Sequence, residues 1–355
     1  MSTALVRPAT TPRAAPAAQP LLSVRDLAVY FPVADRSAWP WAAPQILRAV
    51  DGVSFDIYPG ETLGVVGESG CGKSTLARAL LNLVPAAGGS VKWQGQEMRG
   101  AARADWQTLR KSVQMIFQDP LASLNPRMTV GQIIAEPLRT HYPAMDAAQV
   151  MRKVRAMMVR VGLTESQISR YPHEFSGGQC QRIGIARALV LQPKLVICDE
   201  PVSALDVSIQ AQIINLLKEL QAEMGLALVF IAHDLAVVKH ISHRVMVMYL
   251  GRAAELADKQ ALYRAPSHPY TQALLSAIAT PEPRLERSKV VQILQGDLPS
   301  PINPPSGCSF RTRCPVAIAA CAVRRPELRA VSPQTQVACD LALAAAPSSP
   351  GVSLA

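Results

Sequence analysis

The chain has 355 residues, more than one hydrophobic core normally supports, so one large domain with smaller pieces attached is expected. Its 36 basic and 26 acidic residues leave a formal charge of +10, but no aromatic-basic cluster or groove-reading motif accompanies that charge. The charge therefore gives no reason to expect nucleic acid as a partner, and it is compatible with a seat beneath an anionic membrane leaflet. Hydrophobic residues make up 49% of the chain, yet the longest apolar runs, such as Gly225 to Ala232 and Val245 to Leu250, fall far short of the ~20 residues that span a bilayer.

Residues 1–20 are rich in Ala, Pro and Thr, carry only Arg7 and Arg13 as charges, and lack the continuous apolar core of a secretory signal. A disordered lead-in is expected there, and likewise in the Ala/Pro/Ser tail 341–355. Leu22 to Val29 reads as a strand, followed by the aromatic pair Tyr30 and Phe31. The stretch Ser37 to Pro44, with Trp39 and Trp41, carries no recognisable chemistry.

Thr62 to Val66 is a short apolar strand, and Gly67-Glu68-Ser69-Gly70-Cys71-Gly72-Lys73-Ser74 is a complete G-x-x-x-x-G-K-[ST] phosphate loop. Leu76, Leu80 and Leu83 predict a helix starting at its end. Strand, loop and helix together aim the N–H groups around Ser69, Cys71 and Gly72 at one anion. Glycines at 67, 70 and 72 let the main chain curl closely, Lys73 reaches the β and γ oxygens, Ser74 can ligate Mg²⁺, and Thr75 extends the polar patch.

A phosphate loop alone does not separate kinases, GTPases and ATPases. Gln118 closes the apolar run Val113 to Phe117. Residues 119–174 change composition, with prolines 120, 126 and 137 followed by a helical pattern in Val150, Val154, Met157, Met158 and Val161. Ser176-Gly177-Gly178-Gln179 then opens an apolar helix whose free N–H groups are a second candidate phosphate site. Leu195 to Glu200 is an apolar strand ending in two carboxylates, in which Asp199 is suited to hold Mg²⁺ and Glu200 to polarise the attacking water. Ser203-Ala204-Leu205-Asp206 is a polar turn before an amphipathic helix, and Leu226 to Ala232 is a further apolar run ending at His233. In isolation, a histidine at such a place is ordinarily structural.

The order of these elements, phosphate loop, Gln118, Ser-Gly-Gly-Gln, Asp-Glu, Ser-Ala-Leu-Asp and His, resembles the nucleotide-binding subunit of an ABC transporter from about Leu21 to Cys339. The resemblance implies an α/β P-loop NTPase fold: a RecA-like core with an antiparallel β subdomain and a helical subdomain (about 119–185) within 21–262, plus a Cys-containing extension at 263–340. It implies that Gln118 senses Mg²⁺ and the attacking water, that His233 contacts the γ-phosphate, that Asp206 couples two active sites, and that Phe31 stacks on adenine. It also implies that Ser176 to Gln179 closes over the ATP held by another chain, so a working unit needs two chains. The helical subdomain would receive a coupling helix from the permease. Phe175 stands where Leu is usual in the family, and Cys180 where Arg is typical; Cys180 is expected at a tolerant surface position.

Pro120 to Pro126, His268-Pro269-Tyr270-Thr271-Gln272-Ala273-Leu274-Leu275 and Gly296 to Pro301 resemble the oligopeptide and dipeptide importer branch. Within that region Cys308, Cys314, Cys321 and Cys339 form a C-x₅-C-x₆-C-x₁₇-C set, a grouping that in a cytosolic chain argues for metal over disulfides. Four thiolates suit Zn²⁺ or an iron–sulfur cluster, and no C-x₂-C pair of an ordinary zinc ribbon is present. Similarity to peptide-importer subunits implies a [4Fe-4S] cluster. The expected protein is thus an ATPase on the cytoplasmic face of the inner membrane. It would pair with itself or a sister ATPase, two permease chains and, indirectly, a solute-binding protein. The alternative is a soluble ABC ATPase acting on ribosomes or DNA; such proteins usually carry two cores or a long coiled coil, and this chain has neither.

Overall fold

The computed structural model describes residues 19–34, 44–279, 287 and 291–342. The expected lead-in up to residue 18, the Trp39 and Trp41 segment, and the tail from residue 343 lie outside those residues. β1 (Leu22–Val33) pairs antiparallel with β2 (Gln45–Ile57), Leu22 facing Ile57 and Val29 facing Val50. β1 runs on past Val29, so Tyr30 and Phe31 lie on its exposed end. β3 (Thr62–Val66) enters a different sheet, while β4 (Gly88–Trp93) and β5 (Gln96–Glu97) complete the first in the order β2-β1-β4-β5.

The second sheet adds β6 (Val113–Ile116), β7 (Leu195–Asp199), β8 (Ala227–Ile231), β9 (Arg244–Tyr249), β10 (Arg252–Asp258), β11 (Arg329–Ser332) and β12 (Thr335–Val337). Its order is β11-β12-β10-β9-β3-β8-β7-β6. From β6 through β9 neighbouring strands are parallel, whereas β10, β12 and β11 form an antiparallel edge. A parallel strand covered on both faces gains nothing from polar alternation, and β3, β7 and β8 are buried at every position.

The two-residue period still decides which core each side chain joins. Leu63, Val65, Ile197 and Val229 meet Val24, Val53 and Trp93 of the antiparallel layer. Val66, Val196, Cys198 and Phe230 point the other way, into a core shared with helices Val130–His141, Ala147–Arg160, Gly177–Leu189 and Val207–Met224. Val150, Val154, Met157, Met158 and Val161 are all buried there, as their spacing predicts. Gly64 lets helix Leu235–Ile241 close on β3, because a Cβ at that position would stand 2.3 Å from Val238 Cγ1.

The C-terminal region does not stand apart. β11 and β12 extend the main sheet through β10, and Tyr270 and Phe310 sit in the helical-side core. Among the described residues no helix is long and apolar enough to cross a membrane. Two expectations are corrected. The helix after the phosphate loop ends at Leu80, followed by Leu81 as its cap and Asn82 at φ 52, which leaves Leu83 outside it and half exposed. Cys180 is not on the surface: it is fully buried, and its Sγ lies 3.4 Å from the Pro172 carbonyl, so it faces the helical subdomain's own core.

Candidate active site

In a parallel α/β sheet, functional loops gather beyond the carboxyl ends of the strands. Here the phosphate loop follows β3, Gln118 follows β6, Glu200 follows β7 and His233 follows β8, and these are mutual neighbours in the parallel part of the sheet. Residues separated by more than a hundred positions are thereby set on one edge.

The loop glycines have separate reasons to be glycine. Gly67, at φ 155, would place a Cβ 2.2 Å from the Met248 carbonyl oxygen, and Gly72, at φ 102, would place one 2.0 Å from that of Ala49. Gly70, at φ 77, faces open space. Cys71 turns its buried side chain into the core beneath, its Sγ lies 4.0 Å from Lys73 Nζ, and burial pushes its thiol pKa up. Lys73 is almost fully buried and donates to the carbonyls of Gly67 (2.8 Å) and Glu68 (3.0 Å). Ser69 and Gly70 remain exposed, and Thr75 is partly buried at the start of the helix.

Ser74 Oγ donates to Asp199 Oδ1 at 2.8 Å, across the seam between the loop and β7. Burial pushes the Asp199 carboxyl up, opposed by that hydrogen bond. A hard divalent cation takes oxygen ligands, and a serine hydroxyl beside a buried carboxylate is a donor set that fits Mg²⁺. Glu200 sits at φ 45, a left-handed conformation that is strained for this residue type. Its N–H is held by the Ile231 carbonyl at 3.1 Å, and its own carbonyl accepts from Ser203 Oγ at 3.1 Å. The twist aims the carboxylate into the site, where Oε2 accepts from Gln118 Nε2 (3.2 Å) and lies 3.5 Å from His233 Nδ1, while Oε1 is 3.9 Å from Lys73 Nζ. Gln118 thus contacts Glu200 rather than Asp199, so the structure does not place it on the Ser74–Asp199 pair.

Ser176 caps helix Gly177–Leu189: its Oγ accepts from the Gln179 N–H at 3.4 Å, and Gln179 Oε1 accepts from the Ser176 N–H at 3.0 Å. Gly178 allows the Asp206 helix to approach, since a Cβ there would be 2.6 Å from Ile209 Cγ2. Asp206 caps that helix through the Ile209 N–H at 2.9 Å, and this bond with the Ser208 hydroxyl holds its carboxyl below the usual range. Among the described residues no hydrogen bond or ion pair joins Ser176, Gly177, Gly178, Gln179 or Asp206 to the phosphate loop.

At the far end of β1, Tyr30 Oη donates to Asp51 Oδ1 at 2.8 Å, and the Tyr30 and Phe31 side chains are both partly exposed, to a similar degree. A cleft of about 660 Å³ lies between the antiparallel layer and the C-terminal region, lined in part by Asp51, Arg252, Arg325 and Cys308 and by no residue of the phosphate loop.

Cys308, Cys314, Cys321 and Cys339 are free and partly buried. Burial, with a contribution from the neighbouring thiols, pushes the Cys308 and Cys314 pKa values up, so the four lie within electrostatic reach of one another. Among the described residues, however, no three His, Cys, Asp or Glu side chains stand close enough to hold one metal ion. The donor chemistry fits a soft metal, but the present arrangement gives the iron–sulfur expectation no support.

Contacts of Glu68 escaped the sequence reading. Arg313 Nη1 bonds both Glu68 carboxylate oxygens (3.0 and 2.9 Å), and the Glu68 N–H donates to Tyr270 Oη at 3.0 Å. The partners are over two hundred residues from the loop. Only their positions in the His268-Pro269-Tyr270 and Arg313-Cys314-Pro315 stretches hinted at a role.

Comparison with known proteins agrees with this geometry. Residues 50–203 match the ABC transporter family, and residues 254–321 match the oligopeptide/dipeptide transporter C-terminal region. The chain is 64% identical over 308 residues to the oligopeptide transport ATP-binding protein OppF of Escherichia coli (strain K12), covering 87% of this chain and 92% of that protein. It is 61% identical to OppF of Haemophilus influenzae, covering 90% and 96%. Among solved structures it resembles the dimeric post-hydrolysis state of the ATP-binding cassette MJ0796 bound to ADP and Pi, with a TM-score of 0.60 and 25% identity, over 67% of this chain and 98% of that one. The C-terminal match favours a transporter over the alternative of an ATPase acting on ribosomes or DNA. The chain belongs to the ABC transporter ATPases, in the branch that carries the oligopeptide/dipeptide transporter C-terminal region.

Proposed function

We propose that this chain hydrolyses ATP to power uptake of di- or oligopeptides through a membrane importer. It would work on the cytoplasmic face of the inner membrane, paired with a sister ATPase or a second copy, beneath two permease subunits fed by a solute-binding protein. The observation that carries the reading is the convergence of Lys73, Ser74, Asp199, Glu200, Gln118 and His233 on one sheet edge, in a chain whose C-terminal region is that of peptide transporters.

In this reading Lys73 leaves the Gly67 and Glu68 carbonyls for the β and γ oxygens of ATP, and Ser74 and Asp199 would hold Mg²⁺, which would neutralise phosphate charge. Glu200, already carrying Gln118 and His233, orients the attacking water, and His233 meets the γ-phosphate. Phe31 stacks on adenine. Ser176 to Gln179 of the opposing chain closes the site with the N-terminal turn of its helix, and Asp206 lies at the seam. Closure is favoured by contacts the γ-phosphate makes only in the closed state, and it rocks the permease.

The four cysteines have the donor chemistry of a soft metal centre, a [4Fe-4S] cluster or Zn²⁺, with a structural or regulatory role, but holding one would require them to stand closer together than they do here. Anaerobic purification followed by metal analysis checks this. The transport reading is tested in vesicles holding the assembled importer and its binding protein. ATP should drive accumulation of labelled peptide, and Lys73→Ala should abolish it. ATP-dependent hydrolysis without accumulation of any di- or oligopeptide would refute it.

A further inference from the structure

We propose that Arg313 is a positioning residue for the phosphate loop, holding the Glu68 carboxylate away from the triphosphate seat so that the C-terminal extension sets how well the loop receives ATP. Glu68 is the second residue of the loop and is fixed at three points. Its carboxylate is gripped by both oxygens, 3.0 and 2.9 Å from Arg313 Nη1. Its N–H is taken by Tyr270 Oη at 3.0 Å, and its carbonyl accepts from Lys73 at 3.0 Å. The Arg313 side chain is only 10% exposed and that of Glu68 25%, so the pair is largely shielded from solvent. Shielding strengthens such a pair and makes loss of one partner costly.

The grip comes from a rigid support. Tyr270 is fully buried, and its ring meets those of Tyr249 at 4.8 Å and Phe310 at 5.4 Å; Phe310 lies three residues before Arg313. The Arg313 N–H bonds the Phe310 carbonyl at 3.0 Å, so the turn that carries the guanidinium is anchored on the same aromatic cluster. A loop built to hold a polyanion carries one carboxylate, and only one side chain, Arg313, is seen to neutralise it. Without Arg313 that charge is free to turn toward the phosphates, and like charges repel.

The test is nucleotide binding by the purified full chain, using a fluorescent ATP analogue, with kcat and KM of hydrolysis measured alongside. Arg313→Ala is expected to weaken binding and raise KM by about tenfold while kcat moves less than about twofold. Arg313→Lys, which keeps the charge but loses the fork, should fall between. The deciding variant is Glu68→Gln with Arg313→Ala. If Arg313 acts by neutralising Glu68, removing both charges restores affinity to within about twofold of the parent. Should Arg313→Ala alone fold poorly, Arg313→Lys and the double variant still decide. The proposal is overturned if the double variant binds as weakly as Arg313→Ala, if Arg313→Lys and Arg313→Ala both bind like the parent, or if kcat falls with affinity unchanged.

Discussion

His268 makes the stability of this protein sensitive to mild acid. It is buried, its Nδ1 accepts from the Tyr270 N–H at 3.0 Å to cap helix Pro269–Ser276, and its ring lies 5.6 Å from that of Phe310. Burial lowers its pKa from the ordinary 6.5 to about 4. The unfolded chain therefore takes up a proton between those values while the folded chain does not, so stability is present above about pH 6.5 and is lost as pH falls toward 4. From pH 7 to pH 5 the loss is about 2 kcal/mol, out of a total of about 3 kcal/mol for the full shift at about 1.4 kcal/mol per pKa unit. Glu255, whose carboxyl burial pushes up, accepts from the Ser267 and His268 N–H groups and works in the opposite direction. The assay must therefore be a difference. Denaturant titrations at pH 7 and pH 5 should show the parent losing about 2 kcal/mol more than His268→Asn, which keeps a capping oxygen but has no titrating ring. Equal losses in the two proteins would refute the assignment.

Glu200→Gln should bind ATP and close but stall, with turnover reduced about 10²- to 10⁴-fold in phosphate-release assays; normal turnover would remove Glu200 from its role. Gly72→Ala should destabilise the nucleotide-free chain by about 3 kcal/mol or more, since its Cβ would lie 2.0 Å from the Ala49 carbonyl oxygen. Gly70→Ala, with open space around it, should cost only about 1 kcal/mol. Similar melting shifts for the two would contradict the packing account. Cys71, Cys180 and Cys198, all buried with thiol pKa values raised by burial, should resist alkylation in the folded chain, as read by mass spectrometry. Rapid labelling of Cys180 would return it to the surface.

The nucleotide motifs were legible because each couples a chemical need to a local pattern. An apolar run followed by Gly67 to Ser74 specifies strand, loop and helix at once, and Leu195 to Glu200 specifies a buried strand that delivers carboxylates at its end. What the sequence could not convey was tertiary. Cys180 looks like an exposed helix position because burial there depends on the Pro172 turn packing across it. Leu83 fits a helical spacing, but the helix stops before it, at a capping turn that spacing does not encode. Arg313 and Tyr270 read as parts of a distant tail, and it is the packing of Tyr270 and Phe310 in the helical-side core that brings that tail back to Glu68. The left-handed backbone of Glu200 is likewise invisible until its N–H is seen tied to Ile231.

The composite site, with Lys73 of one chain and Ser176 of another on the same triphosphate, is tested most directly by the specific rate of ATP hydrolysis as protein concentration is lowered. The rate per chain should fall away as pairs separate into monomers. A rate per chain that stays constant down to isolated monomers would contradict it.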